Sequence, residues 1–389
     1  IAKNGLITTV DSNVPRLEYP LIDGVVNGCP SLLLEPQRSN LITYSEDFSQ
    51  GYWTKNGASV TSGFLSPDGT ANAFKLVEDS ANSEHFIQAQ NISIVSDKYS
   101  FTMFAKASEI TKLRVRGANY FTNIAGADFD LTSKTATNLS TGIDAKIVEM
   151  GNGWFKCTFT SLDNGFVGSN GHFRVYLLDD TGSTSYTGDG TSGVYIWGAM
   201  LEQGSYPTSY IPTNGSSVTR NAETCNGAGD AATFNDSEGV LMAEISALAN
   251  SGNGQIRINE QGVLNSVIME FRDSGTTLRT YIFDGNATNQ FFSETNINPN
   301  DNIKIALKYK QNDCSLYLNG FVRATDTTAT MPSNLNSLSF DQGDGSNTFY
   351  GNTKQIQYYN SALTDSELET LTSWTSFSDM ANGQQYSII

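Results

Sequence analysis

Apolar and polar positions alternate with a period of two through most of this 389-residue chain, the spacing of a strand that buries one face. Residues 154–160 (WFKCTFT) place Phe155, Cys157 and Phe159 on one face and Trp154, Lys156, Thr158 and Thr160 on the other. Residues 172–178 (HFRVYLL) turn Phe173, Val175 and Leu177 inward and leave His172, Arg174, Tyr176 and Leu178 opposite. Residues 303–310 (IKIALKYK) set Ile303, Ile305, Leu307 and Tyr309 against Lys304, Ala306, Lys308 and Lys310. The runs 99–105 (YSFTMFA) and 194–201 (VYIWGAML) are apolar on both parities, as a central strand covered on both faces is. Gly-rich stretches such as 181–193 separate the runs, and Asn319-Gly320 between apolar segments predicts a tight hairpin. Only 361–371 (SALTDSELETL) leaves this period: Thr364 and Glu367 predict a capping box, with Leu368 and Leu371 as the helix's apolar side. The pattern predicts an all-β protein of two tandem antiparallel β-sandwiches, of the jelly-roll kind, closed by a short C-terminal helix.

The punctuation divides the chain. Pro15, Pro20, Pro30 and Pro36 mark residues 1–38 as an extended lead-in and attachment segment. Pro207 and Pro212 among Gly, Ser, Thr and Asn mark 204–230 as a linker. Between and after these lie a first sandwich at 39–203, a second at 231–375 and a tail at 376–389, each sandwich long enough for its own core.

Composition removes several classes of function. Acidic residues number 40 against 23 basic ones, a net charge of −17, so phosphate backbones and anionic membranes are repelled. No apolar run approaches the roughly 18 residues of a membrane span. The chain opens on Ile1 rather than Met, which reads as a fragment or a processed product. Only two histidines occur, His85 and His172, too few for a zinc site built on histidine. The four cysteines, 29, 157, 225 and 314, form no CxxC pair. There is no GxSxG elbow, no GxxxxGK[ST] loop and no strand–GxGxxG–helix unit.

What chemistry remains is concentrated on two strands. His172, Arg174 and Tyr176 alternate, so all three project from one sheet face, and a strand 154–160 paired alongside would add Trp154 and Lys156. Trp stacks on a pyranose while Arg, Lys and His donate to hydroxyls or carboxylates. The same set holds a base and a cation, the parts of a polysaccharide lyase. It is equally the solvated face of a sandwich with Trp154 under a loop. On the sugar-face reading, Trp154→Ala keeps the fold and weakens glycan retention. Tyr52, Trp53 and Tyr120 are further aromatics of interest, with Trp53 and Trp197 reading as core. His85, beside Glu84, reads as a strand-edge residue.

Two resemblances extend this reading. "SLYLNGFV" followed by "QIQYYNSALTDSELETL" resembles the closing half of laminin-G and concanavalin-like lectin domains, over roughly 235–375. "PSLLLEPQRSNLITYSEDFSQGYWTK" and "VYIWGAMLEQGSYPTSYIPTNGSSVTRNAE" resemble segments that bracket a carbohydrate-binding-module-like jelly roll in bacteriophage tail-fibre and other virion-surface proteins. Together they imply a non-catalytic virion structural protein, a tail or surface fibre displaying lectin-like domains to host glycans. Other virion proteins are the implied partners, and a homo-oligomer, a trimer among the forms, would raise weak single sites by avidity. A depolymerase acting on bacterial surface polysaccharide and a purely structural decoration protein are the alternatives.

In such jelly rolls a calcium ion often lies between an early acidic residue and Asp residues of the last strand. Glu46 and Asp47 match the early position, but Trp197-Gly198-Ala199 supplies no carboxylate. The loop 341–347 (DQGDGSN), with Asp341, Asp344 and Asn347, is the remaining Ca2+ candidate, or else a Gly-rich turn capping its own backbone.

Overall fold

In the computed structural model the described residues are 1–118, 125–162, 168–248, 253–260, 264–272, 276–285, 288–298 and 300–374. They form two compact units. The first comprises residues 1–12, 19–28 and 37–221, and the second 13–18, 29–36 and 222–389.

Two six-stranded antiparallel sheets make the first unit. A front sheet runs, in spatial order, Thr135–Asn138, Ala125–Asp130, Lys112–Ala118, Gly168–Leu177, Phe86–Ile94, Trp53–Asn56. A back sheet runs Ile143–Glu149, Trp154–Ser161, Tyr99–Lys106, Gly193–Gln203, Ala73–Glu78, Ala58–Phe64. The inward parity behaves as the sequence predicts. Phe155, Cys157 and Phe159 from the back sheet meet Phe173, Val175 and Leu177 from the front in one core. Phe101 stacks on Phe159 at 4.4 Å and on Phe173 at 5.7 Å, so aromatic rings bridge the two layers. Trp53 is core as expected, donating its indole N–H to Tyr44 O at 2.8 Å. Gly198, at φ +65°, relieves a bulge opposite Phe104, whose ring would stand 2.8 Å from any added Cβ.

One expected pairing is corrected. Strand Trp154–Ser161 pairs with Tyr99–Lys106 and Ile143–Glu149, so it lies in the sheet opposite the His172 strand. Period-two alternation specifies a strand's buried face but not its lateral neighbours.

The lead-in and the linker are also not what composition predicts. Ile1, Ile7 and Leu21 pack on the apolar outer face of the back sheet, against Phe104, Trp154 and Trp197. Leu17–Glu18 and Ser31–Leu34 are instead strands of the second unit, Leu17–Glu18 at the edge of its sheet and Ser31–Leu34 next inside it. In the 204–230 segment, residues 204–221 belong to the first unit. Thr208 donates its N–H and its hydroxyl to Glu202, at 2.7 and 2.6 Å, and Val218–Arg220 pairs with Arg38–Asn40. A carboxylate as buried as Glu202 needs such donors, and the segment is ordered by supplying them.

The second unit is again a sandwich. A seven-stranded sheet runs, in spatial order, Leu17–Glu18, Ser31–Leu34, Gly351–Tyr359, Glu238–Ala247, Ile303–Lys310, Cys314–Leu318, Phe321–Asp326. A six-stranded sheet runs Asn226–Ala228, Ser337–Ser339, Gly254–Asn259, Asn265–Arg272, Thr277–Asp284, Thr288–Thr295. Ile303, Ile305, Leu307 and Tyr309 face the core between them. The hairpin turn has both residues left-handed, Asn319 at φ 50° and Gly320 at φ 85°, as a two-residue primed turn requires. Asp365–Thr372 is the single α-helix among the described residues, and its buried Leu368 packs on Val240, Met242 and Ala306 outside the seven-stranded sheet. Its capping box forms as predicted between Thr364 and Glu367. Thr364→Ala is expected to lower stability by about 1 kcal/mol, read as a shift in the denaturant midpoint at constant slope.

Candidate glycan-binding face

Only part of the predicted constellation assembles. His172, Arg174 and Tyr176 do share the outer face of the front sheet, because Phe173, Val175 and Leu177 point to the core. Arg174 organises them. Its Nε donates to Gln88 Oε1, its Nη1 to Tyr176 OH at 2.9 Å, and its Nη2 to His172 Nδ1 at 3.2 Å. Its guanidinium also lies 4.9 Å over the Phe86 ring, itself 5.0 Å from the Tyr176 ring.

The registers bring in residues that sequence reading passed over. Arg174 is flanked by Gln88 on one side and Arg116 on the other, while Tyr176 is flanked by Phe86 and Arg114. Arg114 forks onto Asp128, Nε to Oδ1 at 2.6 Å and Nη2 to Oδ2 at 2.9 Å. Asp128 holds the guanidinium's pKa above its ordinary value despite burial. The signal for the arginines was present in K-L-R-V-R, which alternates cations with core residues at 112–116. Their neighbours Gln88 and Phe86 carry no such local mark.

Trp154 and Lys156 are on the other layer. Trp154 is 1% exposed, enclosed by Phe104, Met150, Trp197 and the lead-in, so it offers no stacking surface. Lys156 donates from Nζ to Thr208 O at 3.0 Å and holds the 204–221 segment down. Tyr176 is likewise 1% exposed and contributes chiefly its hydroxyl as an anchor for Arg174. Tyr120 lies outside the described residues. His85 is buried rather than at an open edge, with its ring nitrogens 2.6 Å from Gly57 O and 3.1 Å from Tyr186 O.

Burial, and then the neighbouring Arg174 charge, lower the His172 pKa below its ordinary 6.5. The ring is therefore neutral at pH 7, accepting at Nδ1 from Arg174 and carrying its proton on Nε2. A lowered native pKa means that the unfolded chain takes up the proton more readily. His172 therefore stabilises the fold above about 6.5, and that contribution fades as pH falls through the lowered native value. Proton NMR titration is expected to place the His172 midpoint below 6.5, with Arg174→Gln moving it only part of the way back.

The loop proposed for calcium uses its oxygens internally. Asp341 Oδ1 accepts from Gly343 N–H at 2.6 Å and its Oδ2 from the Asn226 side chain. Asp344 Oδ1 accepts the Ser346 N–H and hydroxyl, at 2.9 and 2.6 Å, and Asn347 donates to Gln342. Asp341 and Asp344 thus cap turn N–H groups, and Asn347 is held by the Gln342 side chain. Of the early carboxylates, Asp47 caps Ser49 N–H at 3.0 Å. Glu46 accepts from Tyr210 OH at 3.0 Å and Asn72 Nδ2 at 2.9 Å, its pKa raised first by burial. Among the described residues no group of three His, Cys, Asp or Glu could hold a metal ion, and no helix is long and apolar enough to cross a membrane.

The fold thus defines an all-β protein of two antiparallel jelly-roll-like sandwiches. No family model matches the chain, and no curated protein matches it. Among solved structures it is similar to the CBM40 module of the Ruminococcus gnavus IT-sialidase, at 15% identity and TM-score 0.33, over 39% of this chain and 97% of that one. It is similar to the mouse laminin alpha1 LG4-5 domains at 14% identity and TM-score 0.25, over 73% and 90% of the two chains. A heptameric SAP-like pentraxin from Limulus polyphemus follows at 12% identity and TM-score 0.32, over 39% and 76%.

Proposed function

We propose that the first unit is a non-catalytic carbohydrate-binding module that holds a glycan against the outer face of its front sheet. The observation that carries this reading is the Arg174 network, in which Gln88, His172 and Tyr176 lock one guanidinium in place beside the buried Phe86–Tyr176–Leu178 cluster. Hydrogen-bonding side chains fixed on strands, with rotamers set by each other, are what recognition of a polyhydroxylated ligand needs. The carboxylates favour binding over hydrolysis. Asp128 is consumed by Arg114, and Glu270 of the second unit is tied to Gln255 at 2.6 Å and Arg272 at 2.7 Å. Glu367 serves the helix cap.

The wider setting is a virion-surface or tail-fibre protein, with the module displayed to host glycans in a homo-oligomer. It rests on the bracketing segments 30–55 and 194–223 and on the avidity that weak single sites require. Affinity electrophoresis of the purified protein through gels cast with different polysaccharides tests the binding reading. Retardation supports a lectin-like module, whereas free migration in every gel counts against it. Unsaturated or reducing-end products from a retained polymer would instead favour the depolymerase.

A further inference from the structure

The front sheet carries a charge arrangement that a neutral sugar would leave unsatisfied. Arg114 has its carboxylate in Asp128, directly across the strand pair. Two residues along, Arg116 meets Gly126 in the equivalent position, where the nearest side chain is the apolar Leu139, so no carboxylate faces it across that strand pair. That glycine is enforced, because an added Cβ would stand 2.7 Å from Val115 O. On its other side Arg116 lies directly opposite Arg174. Like charges in that relation oppose strand pairing. The Arg174 nitrogens are spent on neutral acceptors, and the Nε of Arg116 is buried with no hydrogen-bond partner. Two adjacent guanidiniums therefore lack a counter-ion among the described residues. This occurs in a chain with 17 excess negative charges, where carboxylates are not scarce.

We propose that this pair of arginines takes the carboxylate of an acidic sugar, bound between Arg116 and Arg174 beside His172. The inference rests on the carbohydrate-binding reading and names the class of sugar. A carboxylate matches the planar fork of a guanidinium and would neutralise both cations at once. Neutral His172 leaves its Nε2–H as a donor for a neighbouring hydroxyl. Stacking contributes little here, since Phe86 and Tyr176 are 7% and 1% exposed. Charge therefore dominates, and binding weakens as salt rises.

The test runs the wild-type protein through gels of polygalacturonate, alginate, the same polymers after carboxyl reduction, and dextran sulfate. Retention by a carboxylated polymer is expected to fall at least about tenfold on carboxyl reduction. Arg116→Glu should abolish retention, Arg116→Gln should weaken it, and each should keep a wild-type melting curve. Equal retention by the reduced polymers, or retention by dextran sulfate alone, overturns the carboxylate assignment and leaves the carbohydrate reading standing. Unchanged retention of Arg116→Glu also overturns it. No retention in any of these gels or in gels of neutral glycans removes both. The carboxyl-reduction arm uses the unaltered protein, so it decides the matter even if a variant fails to fold.

Discussion

Trp154→Ala is expected to destabilise the first unit by about 3–5 kcal/mol, the usual cost of truncating a large aromatic inside a packed core. The residue is 1% exposed, and its ring fills the space among Phe104, Met150 and Trp197 under the N-terminal segment. Removing it leaves a cavity whose walls belong partly to the back sheet and partly to Ile1, Ile7 and Leu21. Sheet-side walls are fixed by ladder hydrogen bonds and cannot collapse, so relaxation must come from the N-terminal segment. Thermal or denaturant unfolding should show a lowered midpoint, with increased proteolysis within residues 1–12 and 19–28 as that segment loosens. A melting curve like wild type, with weakened glycan retention, would restore the surface reading that the sequence alone invites.

Arg174→Leu is expected to abolish glycan retention while the protein remains folded. The substitution removes the donor to Gln88, Tyr176 and His172 together. Gln88 is 8% exposed and Tyr176 1%, so two buried acceptors lose a partner, at a cost of about 1–3 kcal/mol each before relaxation. Arg174→Lys should rescue little, because an ammonium is a point donor and cannot span three acceptors held in a plane. Affinity electrophoresis beside a melting curve separates the two effects. Full retention by Arg174→Leu would take the front face out of the binding reading.

Much of the fold was legible because strand geometry writes itself into residue order. The inward sets Phe155, Cys157, Phe159 and Phe173, Val175, Leu177 follow from period two alone. So do the Asn319-Gly320 hairpin and the Thr364–Glu367 cap, whose physics spans only a few residues. The packing of residues 1–38 and 204–230 is not legible in the sequence for the converse reason. Their Pro, Gly and Ser content records what local structure they cannot form, not what they pack against. Ile1, Ile7 and Leu21 cover an apolar sheet face that no local pattern reveals, and Thr208 is fixed by a carboxylate six residues away in sequence but across a turn.

The candidate site divides along the same line. His172, Arg174 and Tyr176 share a face because they alternate along one strand, and the sequence determines that much. Which strands lie beside them is decided by long-range pairing, where side-chain parity is satisfied equally well by many partners. Tertiary structure alone placed Trp154 and Lys156 on the opposite layer and brought Gln88, Arg114 and Arg116 to the face in their stead. It also set Arg116 between a glycine and a second arginine, an opposition of like charges that exists only once strands far apart in the chain have paired.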